Sequence, residues 1–327
     1  MKRTNILVVG ATGRVGGAAL RFLVEAGGAE NLALFGGTRR PESASALKDL
    51  GVTPVALDLD DTAAVEAAVQ GMDRLLLLTG YTVEMLRQSK RVLDAARRAG
   101  IDHVVHIGAS GNPTSEVAHW GWHRMIEAYI ETAGFTWTHL QPEAFMQNLT
   151  GFAWLHDGAL TNLIGEARWC WVDAEDVGAF AGAALLDPRR WGGEVVRLGY
   201  DAATMAGVAK HVGGQIGRAV SLRPQSPYDF YQAAVASGAD PAYMACVRDQ
   251  FVMNARFAIP GTDETFDPER FASAVGRVPA TWKDFVARER AQLERRLGDR
   301  AGGDPGPIAA GSAHREKTRL RNLDRGR

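Results

Sequence analysis

Cysteine is nearly absent from these 327 residues. Cys170 and Cys246 are far apart and neither belongs to a CxxC pair, which excludes a disulfide framework and a thiolate metal site and fits a reducing cytoplasm. An excess of charge of one sign is missing too. With 37 Lys and Arg against 38 Asp and Glu, the net charge of -1 leaves no electrostatic footprint for nucleic acid, so small molecules are the expected partners. No apolar run approaches the roughly 18 residues that span a bilayer, so no membrane partner is expected. The apolar run at 6–9 behind Met1-Lys2-Arg3 is too short for a signal peptide and soon meets Gly10 and Arg14. What remains, 46% hydrophobic residues at ordinary length, is a soluble globular composition.

Hydrophobic periodicity then predicts alternating strands and helices: strands at 6–10, 31–35, 55–57, 75–78, 103–107 and 136–140, helices at 43–50 and 62–70 and on either side. Val15, Ala19, Phe22, Leu23 and Ala26 form one helical face. Met85 to Ala96 form a second, ended by Gly100 at a left-handed cap, and Trp122 to Ala133 a third, stopped by Gly134. This alternation predicts an α/β fold with a Rossmann-type, doubly wound parallel sheet. After Pro142 the pattern changes. Residues 151–171 read as irregular, Asp173 to Asp176 as a helix start, 195–198 as one more strand, and 204–297 as mostly helical. The expected organisation is a dinucleotide-binding domain over 1–150 plus about 172–198, and a smaller, mostly helical substrate domain over 151–171 plus 199–297. A Gly-, Pro- and Arg-rich tail over 298–327 is predicted to be disordered.

The most specific motif is Gly10-Ala11-Thr12-Gly13-Arg14-Val15-Gly16, between a predicted strand and an amphipathic helix. Gly10 permits the tight turn, Gly13 clears the approach of a pyrophosphate, and Gly16 lets helix and sheet pack closely. The helix amides then face the phosphates. Which dinucleotide binds depends on the end of the second strand. An acid there would bind the ribose hydroxyls of NAD, and a guanidinium would pair with a 2′-phosphate. The residues are Phe35-Gly36-Gly37-Thr38-Arg39-Arg40-Pro41, with two arginines and no acid, so NADP(H) is expected in preference to NAD(H).

With these motifs the chain resembles the atypical short-chain dehydrogenase/reductases, specifically the NmrA-like family of NAD(P)-binding proteins, over about residues 5–200. The resemblance rests on the glycine-rich turn, Arg39-Arg40-Pro41-Glu42-Ser43, Leu57-Asp58-Leu59-Asp60-Asp61, His123-Arg124-Met125-Ile126-Glu127, Thr138-His139-Leu140-Gln141-Pro142 and Phe145-Met146-Gln147-Asn148. It implies Arg39 on the 2′-phosphate, Asp58 and Leu59 flanking adenine, Thr79 and Gly80 lining the cofactor, and Pro142 to Phe145 near the nicotinamide. Asp58 to Asp61 read equally well as a helix N-cap cluster.

The chain departs from the wider superfamily at the catalytic Tyr and Lys, four residues apart, which are replaced by His119 and His123. His123 retains a hydrogen-bond donor for the ribose, and His119 is a candidate general acid. Ser110 and Tyr81 are further catalytic candidates beyond the fifth and fourth strands; each reads alternatively as a turn cap or a pocket wall. No metal is expected, because His119 and His123 lack a third ligand at matching spacing. Trp120, Trp122, Trp154, Trp169 and Trp171 suit either a wall for a flat substrate or core packing. The expected function is NADPH-dependent reduction of a small conjugated or quinone-like acceptor. A non-catalytic NADP(H)-binding redox sensor is the alternative, and a homo-oligomer is left open.

Overall fold

The computed structural model describes residues 3–26, 31–80, 82–111, 115–151, 154–256 and 266–298. The first half alternates strand and helix in β1 (Thr4–Val8), α1 (Arg14–Glu25), β2 (Leu32–Thr38), α2 (Ala44–Asp49), β3 (Thr53–Ala56), α3 (Thr62–Val69), β4 (Arg74–Leu77), α4 (Met85–Ala99), β5 (His103–Ile107), α5 (Ala118–Thr132) and β6 (Thr136–Pro142). The chain then leaves this layer for β7 (Ala144–Phe145), α6 (Asn148–Gly151), β8 (Leu155–His156), β9 (Ala159–Asn162) and β10 (Arg168–Val172). It returns as α7 (Ala174–Leu186), α8 (Pro188–Trp191) and β11 (Glu194–Leu198). Last come β12 (Asp201–Thr204), α9 (Met205–Ile216), β13 (Ser221–Pro224), α10 (Pro227–Ala236), α11 (Pro241–Arg256), α12 (Pro268–Val275) and α13 (Trp282–Gly298).

Seven strands form one sheet in the order β11-β6-β5-β4-β1-β2-β3, and every neighbouring pair is parallel. Helices cover both faces, so the central strands are apolar on both sides. Ile6, Val8 and Leu76 face a core with Leu20, Leu23, Phe180 and Phe271, contributed by α1, α7 and α12. Leu7, Leu75 and Val104 face the opposite core with Val65, Val92, Leu93, Ile126 and Tyr243, contributed by α3, α4, α5 and α11. Strand order reverses between β1 and β4, which opens the crevice at their carboxyl ends where ligands bind in such sheets.

Two glycines fix the seat of α7 on α1. A Cβ on Gly178 would lie 2.4 Å from Ala18 Cβ and 2.6 Å from the Val15 carbonyl, and one on Gly182 would lie 2.6 Å from Phe22. The helices therefore pack at a separation that larger residues would forbid. Asp173 caps α7 by accepting from the Glu175 amide, and Gln147 donates to Asp173 at 2.6 Å. Arg288 of α13 pairs with the same buried Asp173.

The structure corrects one expectation beyond β6. Residues 151–171 are not irregular throughout: they contribute β8, β9 and most of β10 to two three-stranded sheets, β12-β10-β7 and β13-β9-β8. These strands are short, and Trp169 to Val172 are buried on both faces, so no period-two alternation marks them. The structure also decides between two readings of the tryptophans. Trp154, Trp169 and Trp171 are at most 4% exposed and pack with Phe251, Trp282 and Phe285 in a third core, and Trp120 is buried as well. The Trp171 indole donates to the Ala203 carbonyl at 3.1 Å. Core packing, one of the two readings, accounts for these four rings; Trp122 alone of the five is half-buried. Gly298 ends α13, and 299–327 lie outside the described residues. Among the described residues, no helix is long and apolar enough to cross a membrane.

Candidate functional site

The glycine-rich turn leaves the carboxyl end of β1 beside the strand-order reversal. Gly10 has φ +69°, a conformation that favours glycine, and its carbonyl accepts from the Gly13 amide at 2.9 Å. A Cβ on Gly16 would come within 2.3 Å of the Gly10 carbonyl, so the helix can begin this close to the turn only with glycine there. Gly13 is the N-cap of α1 and supplies no side-chain cap. The first amides of α1 are thus left for an anion, and no acidic residue occupies the first turn to compete for them. Thr12, Gly13 and Arg14 are exposed and Val15 is half-buried; Arg14 Nη2 lies 3.4 Å from Thr150 Oγ1.

Gly36 and Gly37 belong to β2, because the space beside them is filled by Ala11, Leu47 and Leu57. Arg39 and Arg40 therefore follow the strand directly and are exposed. The Thr38 hydroxyl accepts from the Arg40 amide at 3.1 Å and holds that corner. Asp58 is exposed and its carboxylate accepts from the Asp60 amide at 3.0 Å, whereas Asp61 caps α3 through the amides of Ala63 and Ala64. Asp60 pairs with Arg87 at 2.7 Å. Capping thus accounts for Asp61, while Asp58 and half-buried Leu59 remain beside the end of β3.

Thr79 and Gly80 follow β4, half-buried and exposed respectively; Tyr81 lies outside the described residues. Ser110 follows β5, is half-buried and donates its amide to the Pro142 carbonyl at 2.9 Å. Pro142 ends β6, and Phe145 in β7 pairs with Val172 of β10. The described candidates among these thus follow the carboxyl ends of β1 to β6.

His119 and His123 lie one turn apart on α5, only 5% and 8% exposed. Burial holds His119 down at about 4 and His123 at about 3, so both are neutral near pH 7. In that state the imidazole offers an N–H hydrogen bond rather than the extra proton of an imidazolium. Its ring lies 5.8 Å from that of Tyr243.

Below this pair lies a cluster that sequence reasoning passes over. His106 and His139 are register partners on β5 and β6, and Glu127 descends from α5. Gln141 donates to Glu127 Oε1 at 2.9 Å, and Arg124 pairs with the other carboxylate oxygen. All three members are 0% exposed. The available signal was the presence of histidines in otherwise apolar strands, which becomes a cluster only once β5 is paired with β6.

Comparison with known proteins agrees with this geometry. The chain is 31% identical over 218 residues to an NAD(P)H azoreductase of Xenophilus azovorans, covering 66% of this chain and 75% of that protein. It is 32% identical over 286 residues to the (4-alkanoyl-5-oxo-2,5-dihydrofuran-3-yl)methyl phosphate reductase of Streptomyces griseus, covering 86% of this chain and 96% of that one. Its fold is similar, at TM-score 0.72 and 24% identity, to an NADPH-dependent quinone oxidoreductase from Escherichia coli solved with NADPH, covering 86% of this chain and 99% of that chain. The model of the NmrA-like family matches residues 2–255, and the chain belongs to that family.

Proposed function

We propose that this chain is an NADPH-dependent oxidoreductase that reduces a small, flat conjugated or quinone-like acceptor. The observation that carries the reading is the uncapped start of α1 behind a turn that requires glycine, at the strand-order reversal, with two exposed arginines and no acid just past β2. Relatives named for azo-compound and dihydrofuranyl phosphate reduction support it. The division into a nucleotide-binding part, 1–150 plus about 172–198, and a substrate part, 151–171 plus 199–297, belongs to the same proposal.

When bound, the nicotinamide cofactor supplies the hydride. The amides of α1 hold the pyrophosphate, with Gly13 leaving room for it, and Arg39 with Arg40 pairs with the 2′-phosphate. Asp58 and Leu59 flank the adenine, and Thr79, Gly80, Pro142 and Phe145 line the rest of the cofactor. His123 donates a hydrogen bond to the ribose, and Ser110 and His119 offer neutral donors to the acceptor. Because neither histidine stores a proton near pH 7, the acceptor takes its proton from solvent, which suits a quinone or an azo bond.

The replacement of Tyr and Lys by two buried neutral imidazoles favours one second reading, a redox sensor that binds NADP(H) without turnover. NADPH oxidation followed at 340 nm against quinones, azo dyes and enones separates the two. Turnover with at least one acceptor class is expected; NADPH binding with none oxidised assigns the sensor role.

A further inference from the structure

We propose that His106, Glu127 and His139 form a buried binding site for a divalent transition-metal ion of the zinc class, which ties α5 to β5 and β6. The trio comes from three elements. Each member offers one ligand atom, and these atoms all lie within 4.8 Å of one another. Parallel pairing of β5 with β6 sets His106 beside His139 on one face of the sheet, with ring centroids 5.6 Å apart and planes nearly perpendicular. Glu127 closes the triangle from the helix above.

The histidines lack the partners that buried imidazoles ordinarily have. Neither nitrogen of His106 and neither nitrogen of His139 makes a hydrogen bond among the described residues. Glu131 Oε1 lies 3.4 Å from His139 Nε2 without hydrogen-bond geometry. A buried polar group without a partner is destabilising, and four such nitrogens beside a carboxylate make an unusual concentration of them. One ion held by a nitrogen of each ring and by the carboxylate would satisfy two of the four.

The surroundings fit a ligand set. Gln141 and Arg124 engage the Glu127 carboxylate from outside the triangle, the way second partners orient a metal-ligating carboxylate. The room beside it depends on Gly108, where a Cβ would lie 2.7 Å from Glu127 Oε1 and 3.4 Å from His106 Cε1. His123, one turn before Glu127, brings a further ring within 5.7 Å of His106, and its Nδ1 is also without a hydrogen bond. Two imidazole nitrogens and one carboxylate oxygen suit Zn²⁺, Co²⁺ or Fe²⁺ better than Ca²⁺ or Mg²⁺, which prefer oxygen throughout. Ligand atoms at about 2.0 to 2.1 Å from a tetrahedral ion require small side-chain rotations to draw the trio together.

The test uses the full chain with any affinity tag removed. Metal content is measured after expression in zinc-supplemented medium, and visible spectra are recorded after unfolding, chelation and refolding with Co²⁺. About one equivalent of metal per chain and ligand-field bands of tetrahedral cobalt are expected, with X-ray absorption showing imidazole nitrogens in the first shell. Glu127→Gln and His139→Gln should each lower metal affinity at least tenfold, while His211→Ala, which removes an exposed histidine on α9, should leave it unchanged. Absence of metal together with a featureless cobalt spectrum overturns the proposal. Equal metal content in wild type and both ligand variants also overturns it, because the ion is then bound at the surface. If the variants do not fold, the wild-type cobalt and absorption spectra decide alone.

Discussion

Arg39 and Arg40 stand where β2 ends, and a test of cofactor choice belongs to them as residues. A guanidinium on a 2′-phosphate is a charge-assisted contact that contributes about 1.5 to 3 kcal/mol. Arg39→Ala should therefore weaken NADPH binding roughly tenfold to a hundredfold and leave NADH nearly unchanged. Calorimetric titration with both cofactors checks this, and an equal loss for both would place Arg39 elsewhere. His119 and His123 show the converse, a residue whose chemistry is set by its surroundings. An imidazole that titrates near 6.5 in water is held at about 4 at His119 because water is excluded there. Composition and spacing identify the imidazole, and only the packing of Tyr243 and Trp120 around it reveals its protonation.

Among the elements, the contact between α1 and α7 depends on residues without side chains. Gly178→Val would push a branched side chain into Ala18 and the backbone of α1, so α7 must move away from α1. Overpacking of this kind costs about 1 to 3 kcal/mol, and a shift of the urea midpoint to lower concentration with unchanged slope is the expected result. An unchanged midpoint would mean that the two helices separate at no cost. The same scale explains what was legible beforehand. β5 was readable to the residue from its apolar run, and Gly100 and Gly134 adopt the left-handed φ of +80° and +85° that their positions as stops imply. The end of β2 at Thr38 is less legible, because glycine disfavours strands in isolation, while here Leu47 and Leu57 fill the space beside Gly36 and Gly37. β8 has only two residues, and β9 and most of β10 are buried on both faces, so none of them carries an alternation to detect. The His106, Glu127 and His139 cluster was illegible for a different reason: it exists only across elements, and no local pattern encodes the register that brings His106 beside His139.

For the whole molecule, buried neutral imidazoles link folding to pH. His103 and His119, both held at about 4 in the folded chain, return to about 6.5 on unfolding. Between these values the unfolded chain binds more protons than the folded one, so acid favours unfolding. Their stabilising contribution is complete above about 6.5 and falls as the pH drops toward 4. Glu127 and Asp176, whose carboxyls burial pushes up, act in the opposite sense, so the comparison must be made within one site. His119→Gln should flatten the dependence of unfolding free energy on pH between 6.5 and 4 by up to about 1.4 kcal/mol per pH unit. Parallel curves for wild type and variant in denaturant melts would show that His119 titrates normally in the fold.

The seat of α7 on α1 also sets an order of events during synthesis. α1 precedes α7 by about 150 residues, and the helix that covers its small-residue face is made only after β7 to β10 have been translated. A nascent chain that has reached β6 carries an unpaired edge on that strand and a bare groove along α1. Both remain open until α7 and β11 arrive together, because the helix and the strand it leads into are contiguous in the chain. Until β11 is made, the outer edge of β6 has no strand to pair with.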